Sequence, residues 1–150
     1  MLRPRTPLAP LAVAAFAPSA PRLNSEVSVA GYPFEGVLSA ATLTFGTLAD
    51  LKGLRGEDGV SRLTLAPQKG DTGGPVFDRR GTVMGMLMPR PEGGQELPED
   101  VSFAVSLGPI TALAARAGVQ LRQETRTGPV APRDLRLSAQ GMTVLVSCWE

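Results

Sequence analysis

The residues whose types and spacing could do chemistry lie together at 70–75, which read Gly-Asp-Thr-Gly-Gly-Pro. A hydroxyl carried on a glycine-rich turn can act as a nucleophile, and glycines allow neighbouring backbone N–H groups to converge on one point. We therefore expect Thr72 to occupy a nucleophile position. The N–H groups of Gly70 and Thr72 are expected to form an oxyanion hole beside it.

Three further residues of this loop are expected to stabilise it. Asp71 would turn inward, and Gly73 and Gly74 would let the backbone enter a strand without steric conflict. The alternative interpretation is a plain glycine-rich β-turn with no chemical role. A phosphate-binding P-loop is excluded, because the terminal Gly-Lys-Ser/Thr is missing.

The sequence provides no imidazole to activate this hydroxyl. It contains no histidine, which removes the commonest general base and the commonest metal ligand. Its single cysteine, Cys148, excludes an intrachain disulfide and is expected to be a buried structural thiol rather than a catalytic one. We predict no cofactor and no metal site. The alternating Met84, Met86 and Met88 are expected to pack in the core rather than to bind a soft metal.

Composition limits the architecture and the partners. The 150 residues, 43% hydrophobic and 19% charged, fit one domain. Fifteen basic residues against 14 acidic ones give a net charge of +1, which predicts no nucleic-acid binding. The pair Arg79 and Arg80 is therefore interpreted as solvated turn residues. No apolar run approaches the ~20 residues of a membrane span.

Hydrophobic alternation and turn residues predict a β-rich chain. A helix is predicted over 108–118, where Pro109 suits the first turn and Gly118 the end. A linker follows at 121–132, and a short element at 134–139 leads to a last strand at 142–148. Turn-rich connections are predicted at 33–39 and 89–100. The six main strands are predicted at 26–32, 42–49, 62–66, 74–78, 82–88 and 101–106.

The loop and its surroundings resemble trypsin-like serine peptidases of the bacterial type. Residues 65–90 are similar to the nucleophile loop and the hairpin after it, with threonine in the serine position. Upstream, 30–51 resemble a Gly-Tyr-Pro turn and a threonine-rich strand. Downstream, 101–119 resemble the substrate-binding strand and the C-terminal helix. The similarity follows the family's order over 26–119.

The resemblance implies an all-β fold: a six-stranded antiparallel β-barrel of chymotrypsin type, followed by a C-terminal helix and a short extra strand. It places the barrel and helix at 26–119, an N-terminal remnant or linker at 1–25, and a linker with the last strand at 120–150. It also implies a substrate pocket.

In that pocket Ala66 would form an apolar base, and Val101, Ser102 and Phe103 the wall.

In this family the catalytic histidine and aspartate lie in a first barrel, and the alignment opens a few residues after that aspartate. The resemblance therefore implies the C-terminal barrel only, and an inactive homologue that at most binds a peptide or a partner. The alternative is a fragment of an active serine endopeptidase whose other half lies upstream or on another chain.

Half of a two-barrel fold would expose the face between the barrels, which predicts a partner protein or a homo-oligomer. A third interpretation assigns a regulatory or cell-envelope binding role to 134–150. Localisation stays open: the bacterial resemblance favours a periplasmic or secreted protein, and the cytoplasm is the alternative. Residues 1–22 match a secretory signal only weakly, because Pro7 and Pro10 interrupt the apolar stretch.

Overall fold

A computed structural model describes residues 2, 4–6, 9–33, 40–90 and 97–148. The predicted connections 33–39 and 89–100, and the ends of the chain, lie partly outside these ranges. The strands are β1 (Glu26–Gly31), β2 (Thr42–Asp50), β3 (Val60–Thr64), β4 (Pro75–Asp78), β5 (Val83–Leu87) and β6 (Val101–Ser106), and the helices are α1 (Leu107–Arg116) and α2 (Pro132–Met142).

The six strands form a closed antiparallel barrel in the order β1-β2-β3-β6-β5-β4. β4 pairs back onto β1, with Val29 opposite Val76, and this pairing closes the cylinder. Closure satisfies the backbone groups that an open sheet would leave at its edges. The predicted six-stranded antiparallel barrel is confirmed.

The barrel interior is filled by side chains from all six strands or their ends. Because successive residues of a strand face opposite sides, Val27 and Val29, two apart on β1, both point inward. Burying them is the main stabilising term for a chain without disulfides. The inward cluster consists of Val27, Val29, Leu48, Leu63, Leu65, Val76, Met84, Leu87 and Ala104.

A second apolar layer covers the outside of the barrel beneath α2. Leu135 and Ala139 of this helix pack against Phe77 and Val83 on the outer face of β4 and β5. Proline at the first helical position suits the start of α2, because its missing N–H needs no partner there.

The segment before β1 also packs on the barrel. Ala17 donates its N–H to the carbonyl of Val83 (2.9 Å), and Val83 donates to that of Ala15 (2.8 Å). Ala15 and Ala17 are buried as a result. Phe16 bridges to Gln123 as well, so this segment connects β5 with the chain that follows α1.

Helix α1 begins directly after β6, one residue before the predicted start, and ends two residues before Gly118. Gly118 has a φ of +68° and donates to the carbonyl of Ala115, which ends the helix as predicted. The two helices of the described ranges, α1 and α2, have 10 and 11 residues, so neither could cross a bilayer.

The predicted last strand at 142–148 was wrong. Met142 belongs to α2, the N–H of Thr143 bonds back to the carbonyl of Ala139, and 143–148 form no strand. Apolar β-branched residues predict a strand locally, but a closed barrel offers no edge at which a seventh strand could pair. Val144 and Val146 are consequently exposed. Cys148 is exposed for the same reason, so the prediction that its thiol is buried was wrong.

The prediction that the three methionines all pack in the core was also wrong. Met84 is 2% exposed and lies inside the barrel, whereas Met86 is 43% exposed. The pairing of β4 with β5 skips Met84, since Val76 lies opposite Gly85 and Phe77 opposite Val83. This bulge reverses the alternation of faces along β5 and turns Met86 outward.

Candidate active site

The loop 70–75 adopts a conformation that its glycines make possible. Gly70 has a φ of +103° and Gly73 one of +80°, in a region that residues with a Cβ rarely enter. A Cβ at Gly70 would collide with the carbonyl of Tyr32, and one at Gly74 with the carbonyl of Ala30. The loop is thus pressed against the end of β1, at a distance that only glycine permits.

Asp71 is turned inward from this loop and is 0% exposed. Its Oδ2 accepts hydrogen bonds from the Gln68 N–H (2.9 Å) and from the Thr44 hydroxyl on β2 (2.8 Å). Its Oδ1 is buried and has no hydrogen-bond partner among the described residues. Bonds to a buried carboxylate are stronger than neutral ones, so Asp71 connects the loop firmly to β2.

The main chain of the loop is fixed on both sides of Thr72. Asp71 donates its N–H to the Gln68 carbonyl (3.0 Å), and Gly74 donates to the Asp71 carbonyl (2.9 Å). Gly73 donates to the carbonyl of Leu87 on β5 (2.9 Å). Two of these bonds fix the turn internally, and the third attaches it to β5.

Two N–H groups and one hydroxyl of the loop are left available. Within the part of the chain that the structure describes, the N–H groups of Gly70 and Thr72 and the Thr72 hydroxyl make no hydrogen bond. Thr72 is exposed. These are the two N–H donors that the sequence predicts for an oxyanion hole, and they are available to an external acceptor.

A cleft of about 190 Å³ lies beside Thr72. Val101, Ser102 and Phe103, the predicted substrate-binding residues, line it together with Thr72. Ser102 is fixed by a hydrogen bond from its hydroxyl to the Leu65 carbonyl (3.3 Å). The structure therefore brings the hydroxyl and the predicted wall to one place.

Ala66, the predicted base of the pocket, is exposed and is not among the residues that line this cleft. The sequence analysis missed two basic residues that do line it, Lys69 and Arg90. Arg90 donates to the carbonyls of Leu97 and Pro98, so its guanidinium is held beside the cleft. Lys69 directly precedes Gly70 in the sequence, and this position could have predicted it as a residue of the cleft. Arg90 lies after β5, where no sequence motif indicates a role.

The sequence profile of the trypsin-like peptidase domain matches residues 1–86. The chain belongs to this family. The matched part includes the loop 70–75 and the strands β1 to β4, and the fold described above agrees with the assignment. Thr72, which the resemblance of the sequence places in the nucleophile position, lies within this matched part.

A curated relative is the uncharacterized protein y4bJ of Sinorhizobium fredii (strain NBRC 101917 / NGR234). It is 27% identical over 134 residues, which make up 85% of this chain and 21% of that protein. The chain therefore spans about a fifth of the length of this relative.

Solved structures share the barrel. An inactive form of Rv3671c from M. tuberculosis H37Rv superposes with a TM-score of 0.54 and 24% identity, over 70% of this chain and 53% of that one. The serine endoprotease from Yersinia pestis gives a TM-score of 0.55 and 20% identity, over 69% and 35% of the two chains. At these identities the likeness establishes the chymotrypsin-like fold.

Proposed function

We propose that this chain is a non-catalytic trypsin-like peptidase homologue, which binds a peptide or a partner without hydrolysing it. One observation carries the proposal: the Thr72 hydroxyl is exposed and unpaired in the described residues, and the sequence contains no histidine. In the trypsin-like mechanism, attack on a peptide carbonyl uses an imidazole to accept the hydroxyl proton and a carboxylate to orient that imidazole. Asp71 is no substitute for either, because it is buried and bonded to Thr44 and Gln68.

The threonine is a second obstacle to hydrolysis. Its additional methyl group restricts χ1 and occupies space beside the attacking oxygen. Loss of the hydroxyl or of the imidazole from such a triad lowers turnover by about a millionfold, and further losses add little because the members act as one unit. Restoring serine alone would therefore leave the chain inactive.

Peptide binding is supported by what the loop retains. The unpaired N–H groups of Gly70 and Thr72 are placed beside a cleft lined by Val101, Ser102 and Phe103. Two donors can hold one peptide carbonyl oxygen, and the cleft can take a side chain next to it. Binding of this kind requires no base.

The second candidate is an active endopeptidase of which this chain forms a part. It is favoured by the share of each related protein that the chain spans, 21% of the curated relative and 53% or 35% of two solved structures. A histidine and an aspartate could then come from an upstream segment or from another polypeptide. Reading the coding sequence upstream for an in-frame histidine and an Asp-Val-Ala-like strand separates the two candidates.

Peptide binding is tested by titrating the ¹⁵N-labelled chain with N-acetylated tetrapeptide amides. We expect saturable shifts of the Gly70 and Thr72 amide resonances, because these N–H groups would donate to the bound carbonyl. Gln68→Trp should abolish the shifts by filling the cleft, since Gln68 lines it. Gln120→Trp, at an exposed position outside the cleft, is the matched control and should leave them intact. Shifts that appear elsewhere, or none at all, would contradict peptide binding at this loop.

A further inference from the structure

A second cleft, of about 260 Å³, lies where three segments meet. These are the segment 17–22 before β1, the turn 78–82 between β4 and β5, and the stretch that contains Glu124 and Arg126. The cleft has no lining residue in common with the one beside Thr72. Since one water takes up about 30 Å³ of liquid, the space is sufficient for a small oxyanion and its hydrating waters.

Four arginines and two acidic residues are among the residues that line this cleft. Their formal charges sum to +2, in a chain whose net charge is +1. The residues in question are Arg22, Arg79, Arg80, Arg126, Asp78 and Glu124.

Both carboxylates already have partners. Asp78 Oδ1 accepts the N–H groups of Arg80 and Thr82, each at 2.9 Å, which fixes the turn. Oε2 of Glu124 accepts a hydrogen bond from Nε of Arg126 (2.7 Å), and Oε1 accepts one from Nη2 of Arg122 (3.0 Å). The hydrogen bond from Arg126 is the main reason that the pKa of Glu124 lies below its ordinary value, so this carboxylate stays charged.

The arginines differ in how they are held. Glu124 and the carbonyl of Gly81, 3.4 Å from Nη1, orient the guanidinium of Arg126. Arg22, Arg79 and Arg80 form no ion pair within the described ranges. Like charges gathered in one cleft repel each other, and an anion between them would replace that repulsion with attraction.

A hydroxyl group adds a second observation. Ser25 lines the cleft, and its Oγ is buried without a hydrogen-bond partner in the described part of the chain. A buried polar atom without a partner is uncommon in a folded domain, and this one belongs to a residue that lines the cleft. Ser19 contributes another lining residue with a hydroxyl.

We infer that this cleft binds a phosphate group, carried by a free small molecule or by a phosphorylated side chain. The local charge of +2 matches a phosphate dianion better than it matches a single carboxylate. Guanidinium groups bind phosphate oxygens through paired N–H donors, which a spherical anion such as chloride cannot use in the same way. The site is independent of the proposed peptide binding at Thr72.

The test measures binding of inorganic phosphate to the whole chain by calorimetry or by ¹⁵N shifts of the turn 78–82. We expect saturable binding that the variant Arg79→Gln plus Arg80→Gln weakens by about tenfold or more, since it removes two charge-assisted contacts. Arg55→Gln plus Arg136→Gln removes the same charge at exposed positions outside the cleft and is the matched control. Its affinity should stay within about twofold of the parent.

A phosphoserine peptide and its unphosphorylated form distinguish the source of the phosphate. Tighter binding of the phosphopeptide than of inorganic phosphate assigns the site to a phosphorylated protein, and equal binding assigns it to a free phosphate. Both results support the inference. A lack of saturable phosphate binding would overturn it. Equal weakening by the two double variants would also overturn it, because the effect would then come from the overall charge alone.

Discussion

One methyl group on Cβ distinguishes the threonine at position 72 from a serine. The methyl limits the rotamers of the hydroxyl. The backbone around it contains glycines at positive φ and a buried aspartate. In the function proposed above, the N–H groups of this loop bind a carbonyl oxygen, and the sequence contains no histidine to accept the hydroxyl proton.

The hydrogen bond between Thr44 and Asp71 gives a prediction at the residue scale. Thr44→Val keeps the shape of the side chain but leaves Asp71 Oδ2 with Gln68 as its one donor. We expect the free energy of unfolding to fall by about 1–3 kcal/mol, because a hydrogen bond to a buried charged group is lost. Urea denaturation of the parent chain and of the variant measures this difference in the free energy of unfolding.

Thr42→Val is the control for this prediction. Thr42 lies on the same strand and makes no side-chain hydrogen bond in the described residues. Its replacement should change the stability by less than about 0.5 kcal/mol. Equal effects of the two substitutions would show that the loss reflects threonine in the strand rather than the contact with Asp71.

At the scale of elements, helix α2 covers the outer face of the barrel through residues on one side. Leu135 is 5% exposed and packs against Phe77 and Val83, whereas Leu137, in the same helix, is 58% exposed. We expect Leu135→Ala to lower the free energy of unfolding by about 2–5 kcal/mol, through lost burial and a cavity.

Leu137→Ala makes the same chemical change on the solvent side of α2. It should alter the stability by no more than about 0.5 kcal/mol, as surface substitutions usually do. The two variants are compared by thermal and urea unfolding. A small loss for Leu135→Ala would mean that α2 does not pack on β4 and β5.

The elements also show what the sequence could and could not predict. Alternation and turn residues located all six strands, because their hydrophobic period follows directly from the pleat of a strand. The same local signal failed at 142–148, since barrel closure is a property of the whole sheet. It failed for Met86 as well, because a bulge is set by strand pairing rather than by the sequence of one strand.

The candidate site was predictable to a similar extent. The motif 70–75 identified the loop, its glycines and Asp71, because each residue type answers a local requirement of the turn. The basic residues Lys69 and Arg90 beside the cleft were not predicted. Nor was the meeting of Arg79 and Arg80 with Arg22 and Arg126, since packing of distant segments brings these side chains together.

At the scale of the whole molecule, the chain is a closed six-stranded barrel of the trypsin-like peptidase family, and its sequence contains no histidine. The apolar outer layer, completed by α2 and the segment that contains Phe16, is part of the same fold. The chain spans about a fifth of the length of its curated relative.

Turnover by the purified chain is the most direct measurement. The chain, its Thr72→Ser variant and its Thr72→Ala variant are incubated with labelled casein and with a fluorophosphonate probe, with Thr127→Ala as a control at an exposed threonine outside the loop. We predict no hydrolysis and no labelling of any of the four, because serine without an imidazole is as inert as threonine. Hydrolysis or labelling by the parent chain that Thr72→Ala abolishes and Thr127→Ala preserves would contradict the account.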